Sequence, residues 1–218
     1  SHLGFAVSSG ADVIQKAIHQ KVQGLVVHHG LFWKHQGARP IVGAFAQRIN
    51  PLIKHGINLF AYHLPLDAHL KVGNNAVLAE RLKLKKISLW GKHQNCPIGI
   101  SGEFSRPVSI KNLQHSLQEI LGHKVVVSVP AEKENIRKVA IVTGAGGSFL
   151  PQAAKGHFDA FITGEASEHH WYDSREEGLA LFACGHHASE TLGIQALMAA
   201  TQKKFKIDCF FIPSDNPF

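Results

Sequence analysis

The sequence predicts an α/β fold of two similar lobes that arose by internal duplication, each built on a mainly parallel sheet. Three observations lead to it. Short, solidly apolar runs alternate with stretches whose apolar residues recur at helical spacing, the pattern of β-α-β units with right-handed crossovers. That succession occurs twice in the same order. Each apolar run also ends in polar residues capable of chemistry, and ligands of parallel sheets collect beyond strand C-termini.

Taken in order, residues 11–20 place Val13, Ile14, Ala17 and Ile18 on one side of a helix. Gly24-Leu-Val-Val27 reads as a strand buried on both faces and stops at His28-His29-Gly30. A helix is expected over 42–54, then a second buried strand over 57–61 that stops at Tyr62-His63-Leu-Pro-Leu-Asp67. In the later half, 139–142 is a strand leading to the turn Thr143-Gly-Ala-Gly-Gly147, and 149–155 is helical. A strand over 160–163 ends in Gly164-Glu165. Another, over 179–183, stops at Gly185-His-His187 before a helix over 190–200. Gly24-Leu-Val-Val-His-His29 aligns with Ala160-Phe-Ile-Thr-Gly-Glu165, and Gly56-Ile-Asn-Leu-Phe-Ala61 with Gly178-Leu-Ala-Leu-Phe-Ala183. These are the marks of a repeat. Residues 92–134 differ, with Pro97, Gly99, Gly102 and Pro107 preceding a helix over 110–121 and a strand over 125–129. The organisation expected is an N-terminal lobe over 1–91, an inserted segment over 92–134 and a C-terminal lobe over 135–218.

Bulk properties narrow the classes of function. With 218 residues, 44% hydrophobic and 18% charged, the chain can bury a substantial core. No apolar run approaches the roughly 20 residues of a membrane span, and the first residues carry no export signal. Three cysteines, Cys96, Cys184 and Cys209, lie far apart without C-x-x-C spacing. Reduced thiols and a cytoplasmic location are therefore expected, with no membrane partner. A net charge of +7 favours anionic partners. The basic residues are scattered, however, which weighs toward a small anionic ligand or a solvated face and away from nucleic acid.

Sixteen histidines against one methionine stand out, and their positions matter more than their number. His28 and His29 close an apolar strand, where they either bind metal or simply make strand-end hydrogen bonds. His63 and Asp67 are four apart, as are His186 and Glu190. On a helical turn such pairs share a face and can converge on one ion. Glu190 near a helix start would also be favourable for the helix dipole alone. The joint pattern selects the ligand reading, since four strand ends carry imidazole or carboxylate and none carries thiolate. Such a set suits Zn, Mn, Fe, Co or Ni better than Cu(I) or iron–sulfur clusters. Two ions bridged by a carboxylate would use about this many ligands. The glycine turn at 143–147 lacks a P-loop or dinucleotide signature and reads as a plain turn. No G-x-S-x-G elbow occurs and no cysteine has a nucleophile's context. Trp33, Trp90 and Trp171 are expected in the core or at a rim, with Phe32-Trp33 bordering the pocket.

The strings Val26-Val-His-His-Gly-Leu-Phe-Trp-Lys34, Tyr62-His-Leu-Pro-Leu-Asp-Ala-His69, Asp159-Ala-Phe-Ile-Thr-Gly-Glu165 and Gly185-His-His-Ala-Ser-Glu190, with Gly73-Asn-Asn75, together closely resemble the YbgI-type proteins of the Nif-three-like family, the type 2 homologues of GTP cyclohydrolase I. The resemblance spans nearly the whole chain, the family's leading segment excepted. It implies two lobes with two divalent metal ions in the cleft between them, and a toroidal homohexamer. Carried over by motif, the ligands are His28, His29, Asp67, His186 and Glu190, with Glu190 bridging. The function it implies is metal-assisted hydrolysis of a nucleotide or related anionic small molecule, such as ring opening of GTP with formate leaving. Glu165 or His63 would shuttle protons. The other reading is a non-catalytic metal-binding ring or scaffold.

Overall fold

The computed structural model describes residues 2–94 and 96–218. Its strands form two sheets, one in each of two units: residues up to Leu66 with Ile194–Asn216, and Asp67–Gly193 with Pro217–Phe218.

In the first unit, β1 (His2–Ser8), β2 (Gly24–His29), β3 (Asn58–Ala61) and the last strand, β10 (Asp208–Phe211), lie in the order β10-β1-β2-β3. All three ladders are parallel, as the alternation of runs predicts. Helices α1 (Ala11–His19) and α2 (Gly43–Lys54) connect them. The predicted face of α1 is the buried one: Val13, Ile14 and Ala17 join Leu25, Val27, Ile49 and Leu52 in one core. Each large aliphatic side chain there contributes roughly 1.5–3 kcal/mol by leaving water. β3 corrects the sequence reading. It occupies the edge of the sheet and most of its residues are exposed, Phe60 at 46%. A short apolar run looks the same at an edge as in a sheet centre, because burial depends on what pairs beside it. β1 is the same kind of apolar run, from Leu3 to Val7, and the sequence reading passes over it.

The second unit begins with α3 (Leu64–Asp67, which starts in the first unit) and α4 (Asn74–Arg81). A six-stranded sheet follows, ordered β4-β5-β7-β8-β9-β6. Its strands are β4 (Lys85–His93), β5 (Cys96–Ser109), β6 (Val126–Ser128), β7 (Asn135–Val142), β8 (Ala160–Thr163) and β9 (Ala180–Ala183). The helices are α5 (Ile110–Leu121), α6 (Leu150–Lys155), α7 (His169–Glu176) and α8 (His186–Phe205), the last running into the first unit after Gly193. β7, β8 and β9 are parallel as expected. The ladders β4–β5, β5–β7 and β6–β9 are antiparallel, so this sheet is mixed and not mainly parallel. For β4 and β5 the cause is local: two residues separate them in sequence, too few for the long crossover that parallel neighbours need. Residues 96–109, part of the segment expected as an insertion, form the longest strand of the sheet. Gly99 and Gly102 are there because a Cβ would strike the neighbouring strands, at 2.6 Å from the Ile141 carbonyl oxygen in the first case. Among the described residues, no helix is long and apolar enough to cross a membrane.

Asp159, just before β8, ties this sheet together. Its Oδ2 accepts the Arg137 and Lys138 N–H groups at 2.9 and 2.8 Å, and its Oδ1 accepts Lys133 Nζ at 2.8 Å. Partial burial works against the charge, but Lys133 and the two amides outweigh it and hold the carboxyl below its ordinary value of 3.8. A carboxylate whose pKa is depressed by folding stabilises above its unfolded value, and that contribution is lost as pH falls through the folded one. Asp159→Asn is expected to cost about 1–2 kcal/mol at neutral pH, limited by the pair's partial exposure. Denaturant unfolding should show that difference shrinking as pH falls below about 4, where the unfolded carboxylate takes up a proton first and the folded one only at lower pH.

Candidate metal centre

β2 delivers two adjacent histidines at its C-terminal end. His28 is fully buried, and its Nδ1 donates to the Tyr62 carbonyl at 2.9 Å. That bond fixes the ring proton on Nδ1 and leaves the lone pair on Nε2, the form in which imidazole ligates metal. Tyr62 is held in turn by its N–H on the Val27 carbonyl, so the end of β3 orients the ring that ends β2. His29 meets Ser8 Oγ through Nδ1 at 3.0 Å. The two rings lie 4.6 Å apart. His63, just past β3, brings a third ring to 4.9 and 5.3 Å from them. Each of the three offers a ring nitrogen within 4.8 Å of the others. Trp33 stands edge-on to His63 at 5.0 Å and borders the trio, whereas Phe32 is 77% exposed and packs edge-on to Phe45.

The second unit gathers the carboxylates. Gly185, at φ +85, turns the chain out of β9 into α8, which starts at His186, four residues earlier than the sequence suggested. His186 and Glu190 therefore share a face one turn apart, with His186 Nε2 3.2 Å from Glu190 Oε2. This placement moves Glu190 out of the first turn and weakens the helix-dipole account of it. Glu165, beyond β8, meets the other nitrogen of the same ring, Nδ1, at 2.5 Å. Asp67 closes α3, and one of its oxygens lies within 4.8 Å of a Glu190 oxygen.

Asp67 and Glu190 are 8% and 2% exposed. Two carboxylates this deep lose hydration and repel one another unless positive charge accompanies them. His186 supplies some: burial opposes its charge, yet Glu190 and then Glu165 overcome that and push its pKa up to about 9. A proton on Nε2 occupies the place in which a cation would sit, and metal binding at such a nitrogen releases it. Buried imidazole and carboxylate with fixed orientation are the donor set a divalent ion takes. The residues present fit the group.

Sequence reasoning missed the supports of these side chains. Asn74 and Asn75, the first residues of α4, are wholly buried. Asn74 Nδ2 donates to Asp67 Oδ1 at 2.9 Å, while its Oδ1 accepts the Gly193 N–H at 2.8 Å. Asn75 donates to the Asp67 and Ile98 carbonyls and accepts the Thr143 N–H. Helix propensity disfavours asparagine, so two of them opening a helix was the available signal. Asn74→Leu is expected to destabilise the protein by about 2–4 kcal/mol, because two buried groups lose partners. It should also weaken metal binding about 10–100-fold, and metal titration alongside urea unfolding measures both. The turn after β7 has a packing reason too. Gly144 sits at φ +64, and a Cβ there would run into the Glu190 carboxylate and come within 3.2 Å of His186 Nε2. Burial pushes the Cys184 thiol far up and disfavours its thiolate.

The family described as Duf34/NIF3 (NGG1p interacting factor 3) matches residues 1–217. The chain belongs to that family. A Haemophilus influenzae member, named GTP cyclohydrolase 1 type 2 homolog, is 38% identical over 211 residues, covering 97% of this chain and 83% of its own. Among solved Duf34/NIF3-like structures, the ybgI protein, described as of unknown function, superposes with a TM-score of 0.89 at 36% identity, over 100% of this chain and 85% of that one. A Thermus thermophilus protein, TTHA1606, does so with 0.89 at 32%, over the same shares.

Proposed function

We propose that this Duf34/NIF3 chain holds two divalent metal ions through His28, His29, Asp67, His186 and Glu190, Glu190 bridging, and hydrolyses a nucleotide or related small anion. The observation that carries the reading is the buried Asp67–Glu190 carboxylate pair with His186 set against it. The His28, His29 and His63 trio supplies nitrogen donors of the complementary kind. Zn, Mn, Fe, Co and Ni all suit this mixture. The name borne by relatives, GTP cyclohydrolase 1 type 2 homolog, makes GTP the first substrate to try. The net charge of +7 favours an anion. When bound, such ions bring the pKa of water toward about 7. Glu165, hydrogen-bonded to His186 Nδ1, would carry a proton, and His63, beside His28 and His29, would be a second carrier. The test is turnover of GTP and other nucleotides by purified protein, abolished by a chelator and restored by added metal.

His63 also supports a second reading. A third nitrogen beside His28 and His29 would help saturate an ion, as in structural sites, and catalytic ions keep an open position. Full metal loading with no turnover on any nucleotide would favour that non-catalytic role. For assembly we propose a homohexamer, on family resemblance. Sedimentation at micromolar concentration is expected to give a particle six times the chain mass, and a monomer would overturn it.

A further inference from the structure

The second unit contains a hollow of about 490 Å³ whose lining includes Gly147, Ser148, Glu165, Ser167, His170 and Asp173. Its connection to the metal centre is Glu165, whose carboxylate holds His186. α7 lends His169, His170 and Asp173 to the same lining.

His170 is fixed there as a directed donor. It is 8% exposed, its Nδ1 accepts the Ser167 N–H at 2.9 Å, and its ring lies so close to Gly147 that a Cβ would come within 2.6 Å of Cε1. Burial, and then neighbouring His169, hold its pKa below the ordinary range against the pull of Asp173. A neutral ring whose Nδ1 accepts must carry its proton on Nε2. No hydrogen bond joins that N–H to the described residues. Asp173, one turn along α7 from His169, adds a carboxylate to the same wall. A second hollow, of about 530 Å³, shares Ala166 and Ser167 with the first and is walled by Trp171, Tyr172, Val126 and Leu181.

From this we infer that the α7 hollow reads a guanine base, with His170 donating to the ring carbonyl and Asp173 accepting the adjacent ring and exocyclic N–H groups. A single N–H beside a carboxylate complements the acceptor–donor–donor edge of guanine with three bonds. Adenine offers an acceptor and a donor only. Glu165, shared with the metal centre, puts the base next to the groups that would act on it. The inference rests on the proposed nucleotide reading for its purpose and is tested apart from it.

The probe is guanosine, which lacks phosphates and so reports base recognition alone. Calorimetric titration of the full chain, metal-loaded, is expected to show guanosine binding at least about tenfold tighter than adenosine. Asp173→Asn, a change of equal size at a half-buried position, and His170→Ala should each weaken guanosine about 10–100-fold. Both should keep wild-type metal content. Equal affinity for the two nucleosides, no guanosine binding, or wild-type affinity in Asp173→Asn would overturn the inference. Metal analysis on the same samples separates the failures. Guanosine bound by a protein that takes up no metal sinks only the metal reading, and metal without guanosine recognition sinks only this one.

Discussion

Glu165→Gln is expected to keep its metal while losing about 10²–10⁴-fold in hydrolytic turnover, the usual contribution of a proton carrier. The geometry makes this substitution informative. Glu165 Oε1 meets His186 Nδ1 at 2.5 Å, and a glutamine oxygen in that place still accepts the Nδ1 proton, so the tautomer with Nε2 toward a metal survives. What the amide cannot do is take up and return a proton. Glu165→Leu separates the two roles, because it removes the acceptor altogether. It should cost about 10–100-fold in metal affinity as well as the turnover. Metal analysis by mass spectrometry and nucleotide turnover, run on both variants, read the two effects independently. Full activity with full metal in Glu165→Gln would end the proton-carrier assignment and leave Glu165 with the positioning role alone.

The second large effect concerns the ligands themselves. Purified wild-type protein is expected to carry close to two divalent ions per chain, and His28→Ala, His186→Ala and Glu190→Gln should each lower that content. Glu190→Gln is the sharpest of these. It preserves shape at a position 2% exposed and removes only the charge. A bridging carboxylate neutralises and joins two ions at once, so this one change should deplete both. His28→Ala removes a ring whose tautomer is set by the Tyr62 carbonyl. Wild-type loading in all three variants would remove the proposed centre. Loss of loading in His186→Ala and Glu190→Gln with none in His28→Ala would confine it to the carboxylate side.

Local sequence carried a great deal of this protein. The alternation of apolar runs gave α1, α2, β8 and β9 nearly to the residue, and the apolar stretches of β2 and of the second half of β7, because a fully apolar strand and a helix with one apolar face have distinct periods. The spacing His186-x-x-x-Glu190 likewise placed two donors on one helical face before any fold was known, since 3.6 residues per turn requires it. Three things needed tertiary structure. Edge and centre strands are alike in sequence, so β3 reads as buried and is exposed. The antiparallel strands β4 and β5 escape notice because glycines and prolines in β5 look like loop until a close neighbouring strand explains them. The supports of the candidate ligands are invisible for a stronger reason. Asn75 reaches Thr143 across 68 positions, Asn74 reaches Gly193 across 119, and Glu165 reaches His186 across 21. A sequence records which groups can donate or accept, but which donor finds which acceptor is decided by the packing that buries both, and only there does leaving either one unmet become costly.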